Sequence, residues 1–199
     1  MNVGLVLNGE IPDKIVDDFI VCSDGGYDRL QKLGIEPDVL IGDMDSVSKR
    51  PDRDIIYYPP EKDATDGELS LDYAMSKNPD TIHFYGVFGG RPDHVEGNYC
   101  LMYKAFLKGI NVIAMNNDYT MYFADKPITL ENVKGKTLSV VPFLDKVHVY
   151  NEVGLKYPMD ELTITRNSSR GISNVCLEDK ITINIANGLA MIFVINDAD

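Results

Sequence analysis

The first part of the chain alternates short apolar runs with segments of helical pattern. Six runs rich in Val, Ile and Phe lie at residues 3–7, 19–22, 39–41, 55–58, 81–87 and 111–115. They are nearly continuous in apolar residues rather than alternating, which is typical of strands buried on both faces of a parallel sheet. The pattern therefore predicts a parallel sheet within about the first 125 residues.

Helices are predicted between these strands, over residues 24–33, 66–77 and 92–108. Gly34 is suited to end the first helix, and Pro92 is suited to the first turn of the third. Thr65 and Glu68 form a capping-box pattern at the start of the second. Strands that alternate with helices of this length predict an open, mostly parallel α/β/α sandwich.

After about residue 126 the pattern changes to short strands, several with period two. They are predicted at residues 137–142, 146–151, 161–166, 180–186 and 190–196. Ile181, Ile183 and Ile185 alternate with polar residues, so one face of that strand is expected to be buried. No helix is indicated, which predicts a small C-terminal antiparallel β-sandwich or barrel. We therefore expect two domains, an α/β domain over 1–125 and a β-domain over 126–199.

The negative charge of the chain belongs mostly to the first of these domains. The formal net charge is −12, which argues against a nucleic-acid surface. Residues 1–125 hold 22 acidic and 11 basic residues, whereas residues 126–199 hold 9 and 8. Because few basic residues are available, a polyphosphate bound by the first domain would need divalent cations.

Three widely spaced cysteines bear on the compartment. Cys22, Cys100 and Cys176 each lie in an apolar segment, which predicts core residues of a reduced, cytoplasmic protein rather than disulfides. No apolar run approaches the roughly 20 residues that a bilayer-spanning helix needs. The run at 3–7 is soon followed by polar residues, so we interpret it as a strand rather than a signal peptide.

Clustered carboxylates follow the predicted strands. Asp43 and Asp45 come directly after the strand at 39–41, and Asp66 opens the second helix. Ligands of an open parallel sheet bind beyond the carboxyl ends of its strands, and carboxylate oxygens are ligands that Mg²⁺ prefers. Each segment alone is equally typical of an acidic turn or a helix cap.

Two glycine-containing turns lie at the same predicted edge. One is Asp24-Gly25-Gly26, and the other is Gly89-Gly90-Arg91-Pro92-Asp93-His94. Glycines let the backbone approach a ligand closely, and Arg91 can give a phosphate a bidentate contact. Asp24 is also explained as a helix cap, and His94 as a structural residue. Together, however, the segments predict a site that holds a metal against phosphate oxygens, without a P-loop or a dinucleotide-binding fingerprint.

In this order, the segments resemble the motifs of the thiamine pyrophosphokinase family. That pattern is similar to Asp-Gly-Gly, Gly-Asp-x-Asp-Ser, Lys-Asp-x-Thr-Asp-x-Glu and Gly-Gly-Arg-x-Asp-His followed by Asn. The chain carries these at residues 24–26, 42–46, 62–68 and 89–94, with Asn98 after them. Residues 154–159 and 171–174 resemble the family's thiamine-binding β-domain. The resemblance covers essentially the whole chain.

The resemblance implies a Rossmann-like α/β domain, a C-terminal β-sandwich, and a cytoplasmic homodimer with active sites at the subunit interface. It implies that, with Mg²⁺, the pyrophosphoryl group of ATP is transferred to the hydroxyl of thiamine, giving thiamine diphosphate and AMP. The implied catalytic residues and metal ligands are Asp43, Asp45 and Asp66. The implied ATP-binding residues are Asp24, Lys62, Asp63, Thr65, Arg91, Asp93 and His94. The implied substrate-binding residues are Ser46, Ser173 and Asn174.

Two other functions stay open at this point. One is pyrophosphorylation of another hydroxymethyl heterocycle, such as a pterin, and the other is a nucleotide-sensing module without catalysis. The general base is also open, with Asp43 and Asp66 as candidates. The chain has no Trp, whereas some family members stack the thiamine pyrimidine on one, so a Tyr, Phe or aliphatic residue is expected in its place.

Overall fold

A computed structural model describes residues 1–44, 47–48, 55–59 and 63–196 of the chain. The chain divides into two compact units, Met1–Asn117 and Asp118–Asp199. The described part of the first unit contains strands and helices, and that of the second contains strands without helices. The predicted fold class is confirmed, and the boundary at residue 125 stays a prediction.

The described residues of the first unit form a six-stranded parallel sheet. Its strands are β1 Asn2–Val6, β2 Phe19–Ser23, β3 Val39–Gly42, β4 Ile55–Tyr57, β5 Thr81–Tyr85 and β6 Asn111–Met115. Within the unit they lie in the order β6-β5-β1-β2-β3-β4, and each neighbouring pair is parallel. In β1 and β2 every residue after the first is buried. This burial explains why the apolar runs of the sequence are continuous.

Three helices connect strands in the described part of this unit. They are α1 Asp24–Lys32, α2 Asp66–Met75 and α3 Pro92–Leu107. Leu30, Leu71 and Met102, one from each helix, are fully buried. Burial of such a side chain stabilises the fold by about 1.5–3 kcal/mol, so each helix is held to the unit by an apolar face.

The cap of α2 is only half of the predicted capping box. The Oγ1 of Thr65 accepts the N–H of Glu68 at 3.2 Å, as predicted. The reciprocal bond is not formed between these two described residues, because the Glu68 carboxylate lies 3.7 Å from the Lys104 Nζ on α3. An ion pair between α2 and α3 therefore takes the place of the second capping bond.

The described part of the second unit is built from antiparallel strands. They are β7 Tyr119–Ala124, β8 Ile128–Glu131, β9 Thr137–Pro142, β10 Lys146–Val149, β11 Leu162–Thr165, β12 Asn174–Val175, β13 Lys180–Ile183, β14 Ile185–Asn187 and β15 Ala190–Ile195. Within the unit they pair as β12-β9-β15-β7, β11-β10-β14 and β13-β8. Ile181, Ile183 and Ile185 are buried in its core, which confirms the predicted alternation. The single strand predicted over 180–186 is wrong, because the segment forms two strands, β13 and β14, that pair with β8 and β10. The strands β7, β8 and β12 were not predicted.

The cysteines differ from the prediction at one position. Cys22 and Cys176 are buried, but Cys100 is exposed, so its assignment to the core is wrong. The buried positions of α3 are Leu101, Met102 and Ala105, and the helical turn places Cys100 off that face. No helix in the described part of the chain combines the length and apolar composition that crossing a membrane requires.

Candidate active site

A cleft of about 720 Å³ lies at the carboxyl edge of the parallel sheet in the first unit. It is lined by residues that follow β1, β2 and β5, together with the first turn of α2 and one side of α3. The carboxyl ends of parallel strands meet at one edge of a sheet. Segments far apart in the sequence therefore converge on this cleft.

Three carboxylates gather at this edge. Oxygen atoms of Asp24, Asp43 and Asp66 lie within 4.8 Å of one another. Asp24 is 6% exposed, and the other two residues are half-buried. Each comes from the end of a different strand or the start of a different helix. Hard oxygen ligands at this spacing fit a divalent cation such as Mg²⁺.

Gly42, the last residue of β3, makes the close approach of these carboxylates possible. Its φ is +151°, a conformation that favours glycine. A Cβ at this position would lie 2.8 Å from the Cβ of Asp24 and 3.2 Å from the Oδ1 of Asp66. A side chain here would therefore push into the carboxylate cluster.

Asp24 is held at the N-terminus of α1. Its Oδ1 accepts the N–H of Gly25 at 2.6 Å. A Cβ on Gly26 would lie 2.9 Å from the carbonyl oxygen of Leu7, so the glycine lets α1 begin directly against the end of β1. Burial raises the pKa of the neighbouring Cys22 thiol, and the Asp24 carboxylate raises it further. The thiol is thereby kept protonated beside the cluster.

The Gly-Gly-Arg turn is fixed by the loop that follows β1. Gly9 donates its N–H to the Gly86 oxygen at 2.8 Å, and Glu10 donates to the Phe88 oxygen at 2.8 Å. The contact is so tight that a Cβ on Gly9 would lie 2.1 Å from the Phe88 oxygen. Gly89 then adopts a φ of +89°. The glycines therefore give this turn a backbone path that larger residues would block.

Arg91 is joined to Asp93 by a two-point contact at the start of α3. Its Nε lies 3.1 Å from Oδ1, and its Nη2 lies 2.5 Å from Oδ2. The hydrogen bonds lower the pKa of Asp93 and raise that of Arg91. Asn98 donates to the Val87 oxygen at 2.8 Å, which ties α3 to the end of the fifth strand. The guanidinium is thus oriented beside a helix N-terminus, where amides and the helix dipole favour an anion.

Two cations of the cleft were missed by the sequence analysis. Arg29 of α1 lines the cleft and donates its Nε to the Asn8 oxygen at 2.9 Å. Lys104 of α3 lines it too, with its Nζ 2.7 Å from the Asp72 carboxylate. Lys104 lies eleven residues after Asp93, a spacing that returns to nearly the same face of a helix. That periodicity could have predicted Lys104.

The predicted site residues separate into four groups. Those that line the cleft are Asp24, Thr65, Asp66, Arg91, Asp93 and His94. Asp43 joins them through the carboxylate cluster. Asp63 is exposed and does not line the cleft. Asp45, Ser46 and Lys62 lie outside the described residues. Ser173 and Asn174 lie in the second unit.

A pocket of about 320 Å³ in the second unit includes Ser173 and Asn174 together with Tyr157. The side chain of Asn174 is engaged with the backbone of Tyr157. Its Oδ1 accepts the Tyr157 N–H at 3.0 Å, and its Nδ2 donates to the Tyr157 oxygen at 2.5 Å. Ser173 has a φ of +61° and donates its N–H to the Ser139 Oγ at 3.0 Å. Both residues therefore have defined positions at the pocket.

The fold and the cleft define the class of α/β proteins whose acidic, glycine-rich sheet edge serves phosphorylated ligands. Residues 16–114 match the family model "Thiamin pyrophosphokinase, catalytic domain", and residues 127–190 match "Thiamin pyrophosphokinase, vitamin B1 binding domain". The chain belongs to the thiamin pyrophosphokinase family. The predicted resemblance is thereby confirmed.

Individual relatives agree with this assignment. The chain is 33% identical to the thiamine pyrophosphokinase of Bacillus subtilis (strain 168) over 175 residues, which cover 83% of this chain and 82% of the relative. A crystal structure of thiamine pyrophosphokinase from Bacillus subtilis matches with a TM-score of 0.88 and 27% identity, covering 100% of both chains. The crystal structure of the Geobacillus thermodenitrificans enzyme matches with a TM-score of 0.84 and 26% identity, covering 100% of this chain and 99% of that one.

Proposed function

We propose that this chain transfers the pyrophosphoryl group of ATP to the hydroxyl of thiamine, producing thiamine diphosphate and AMP. Family membership supports this activity. The observation that carries it is the carboxylate cluster of Asp24, Asp43 and Asp66 at a cleft that also contains Arg91. Such a cleft combines metal ligands with a phosphate-binding side chain.

Asp43, Asp45 and Asp66 are the proposed Mg²⁺ ligands, and the geometry adds Asp24 to this set. The donor chemistry fits, because Asp24, Asp43 and Asp66 present oxygen atoms within 4.8 Å of one another. When bound, the metal would neutralise phosphate charge and polarise the phosphoryl oxygens.

Arg91 is the proposed contact to the phosphate oxygens of ATP. Its guanidinium can form a bidentate contact with phosphate, and its pairing with Asp93 fixes its orientation. Thr65 caps α2, so the N-terminal amides of that helix face the same cleft. His94 lines the cleft as well, and Lys62 and Asp63 remain proposed ATP contacts on their motif alone.

The transfer forms a bond from the thiamine hydroxyl oxygen to the β-phosphorus of ATP. The bond from that phosphorus to the oxygen it shares with the α-phosphorus breaks, and AMP leaves with the electron pair. The hydroxyl proton passes to a carboxylate oxygen, with Asp43 and Asp66 as the two candidates. Because a carboxylate that holds Mg²⁺ is a weak base, activation of the hydroxyl by the bound metal would lower the demand on it. Most of the catalysis then comes from positioning and charge neutralisation.

Thiamine is proposed to bind with Ser46, Ser173 and Asn174, as the motifs imply. Tyr157 is our proposed substitute for the missing Trp, because this residue is 58% exposed and borders the same pocket as Ser173. An exposed aromatic ring can stack on a heterocycle in an offset or edge-to-face arrangement. Asn174 would then act through Tyr157, whose backbone it holds.

A homodimer with active sites at the subunit interface is also proposed. Its support is the exposure of large apolar side chains in the second unit, where Val153 is 75% and Ile172 is 49% exposed. Each of these side chains is available for contact with a second copy of the chain. Light scattering of the purified chain would test the dimer. The proposed compartment is the cytoplasm, in keeping with three cysteines that form no disulfide.

The activity is tested by incubating the purified chain with MgATP and thiamine, and measuring AMP and thiamine diphosphate. A parallel reaction with a hydroxymethylpterin tests the other acceptor. We expect AMP release with thiamine, and a clear preference for the pterin would contradict the proposal. ATP binding without AMP release under all conditions would indicate a sensor.

The metal site is tested by Asp43→Asn. We expect this variant to lose several kcal/mol of charge stabilisation in the transition state, which corresponds to a fall in kcat of about 100-fold or more. The matched control is Asp80→Asn, because Asp80 is an exposed carboxylate that precedes β5 at the opposite edge of the sheet. If both variants keep the wild-type rate, the assignment of Asp43 is wrong.

A further inference from the structure

Glu152 is a buried acidic residue in the second unit that neither the motifs nor the proposed reaction uses. It is 6% exposed. Its Oε1 accepts the N–H of Leu155 at 3.1 Å, and its Oε2 accepts the N–H of Met159 at 3.2 Å. The two oxygens of one carboxylate therefore span the turn at residues 154–159.

The same turn is fixed from its other side by residues 174–177. Lys156 donates its N–H to the Val175 oxygen at 2.9 Å, and Leu177 donates to the Gly154 oxygen at 2.8 Å. Asn174 holds the N–H and the oxygen of Tyr157. Glu152 accepts hydrogen bonds from the Leu155 and Met159 amides, which lie on either side of Tyr157 in the chain. The position of Tyr157 is thus determined by two buried polar side chains.

This turn forms one wall of the 320 Å³ pocket. Tyr157, Pro158 and Met159 contribute to the wall, and Ser173 contributes from a separate segment. Tyr157 is 58% exposed although its backbone is held by hydrogen bonds. A fixed backbone beneath an exposed ring is what a preorganised ligand contact requires.

A carboxylate at position 152 carries a desolvation penalty. Burial is the main cause that raises the pKa of Glu152, and nearby Asp160 adds to it, despite the two backbone hydrogen bonds that oppose the shift. The ionised form is therefore less favourable at this position than in water. Buried ionic groups often cost more stability than apolar or neutral groups of similar size. A neutral side chain would fit the fold with a smaller desolvation penalty.

We propose that Glu152 is a positioning residue for thiamine, which sets the 154–159 turn so that the Tyr157 backbone is held in one position beside the acceptor pocket. This inference rests on the proposed function, because thiamine is taken as the ligand of the pocket. Glu152 itself makes no contact with the substrate in this scheme. It acts through the Leu155 and Met159 amides.

The test is Glu152→Gln, which keeps size but replaces one acceptor oxygen by an NH₂ that faces a backbone N–H. We expect the KM for thiamine to rise about tenfold, as for other partners that orient a binding group. The KM for ATP and the kcat at saturating thiamine are expected to stay within about twofold of wild type. The melting temperature is expected to fall by only a few degrees, because one buried N–H loses its acceptor. The matched control is Glu131→Gln, an exposed carboxylate in the same unit that pairs with Lys180.

A second variant, Glu152→Met, removes both acceptors and is expected to raise the KM for thiamine further. A wild-type KM in both variants would overturn the proposal. Failure of both to fold would make Glu152 a folding residue and would overturn it as well. Calorimetry measures the thiamine affinity directly, so the positioning role can be tested separately from AMP release. A wild-type chain that binds thiamine but releases no AMP refutes the proposed reaction, whereas unchanged thiamine affinity in the variants refutes the positioning role.

Discussion

Replacing Gly42 with alanine is the most direct way to disturb the carboxylate cluster without removing a carboxylate. The added Cβ would lie 2.8 Å from the Cβ and 2.9 Å from the Cγ of Asp24, and 3.2 Å from the Oδ1 of Asp66. Ordinary contacts between carbon atoms are about 3.5–4.0 Å. Asp24 would therefore have to move by roughly 0.7 Å or more.

The expected effect is much larger on catalysis than on folding. A non-glycine residue at the φ of +151° found here stores about 1–3 kcal/mol of strain. Misplacement of reacting groups by about 1 Å costs roughly 100-fold in rate. We expect Gly42→Ala to lower kcat/KM about 100-fold and to raise the Mg²⁺ concentration for half-maximal AMP release.

The measurement is initial AMP release across a Mg²⁺ titration, together with the melting temperature. Gly109→Ala is the matched control, because Gly109 also has a positive φ, +79°, but a Cβ there would meet no atom within 4 Å. Both variants bear backbone strain, and only Gly42→Ala disturbs carboxylates. If Gly42→Ala keeps the Mg²⁺ dependence and rate of the control, the carboxylates do not act as a metal-binding group.

Three further results are expected. Arg91→Lys keeps the charge but loses the planar fork, so the KM for ATP should rise about tenfold with little change in the KM for thiamine; equal effects on both constants would contradict a phosphate role. Removal of divalent metal with a chelator should abolish AMP release, and returning Mg²⁺ should restore it and raise the melting temperature; a rate that survives chelation would exclude a metal-dependent reaction. Because the pKa of Glu152 is raised in the folded state, its favourable contribution to folding is present below its usual value of 4.5 and is lost as the pH rises through the folded pKa. Unfolding curves should therefore show Glu152→Gln gaining stability relative to wild type as the pH rises from about 4 to 7, and a difference that is constant with pH would contradict the raised pKa.

Strands marked by a continuous apolar run or by strict period-two alternation were predictable from the sequence, and strand β7, which shows neither, was not. The strand β1 is buried after its first residue, so its continuous apolar run was a sufficient signal. In strand β7, Tyr-Thr-Met-Tyr-Phe-Ala, the residues Met121, Phe123 and Ala124 are buried and the others are partly buried, without strict alternation. The strand pairs with β15 along its whole length. Such pairing depends on residues about 70 positions away, which local periodicity does not report.

The sequence predicted which edge of the sheet holds the acidic site, but it did not predict the distances between the carboxylates. Parallel topology places the ends of β2 and β3 and the start of α2 together, so Asp43 and Asp66 were expected at one place. The carboxylate of Asp24 lies within 4.8 Å of the other two because Gly42 leaves room for it and because α1 begins directly against the end of β1. Glu152 carried no signal at all, because a polar residue before a turn is ordinarily solvated. Only the folded second unit shows its carboxylate bonded to two backbone amides.

The arrangement of cations in the cleft supports the proposal that a metal binds there. Arg91 is already paired with Asp93, and Lys104 is already paired with Asp72. These ion pairs lie partly in water and are weak individually, about 0–1 kcal/mol, but each brings a negative charge beside the positive one. Arg29 is bonded to the neutral Asn8 oxygen instead. A triphosphate that enters this cleft therefore meets paired cations and three clustered carboxylates, and the repulsion has to be offset by divalent cations. It follows that ATP alone should bind far more weakly than MgATP.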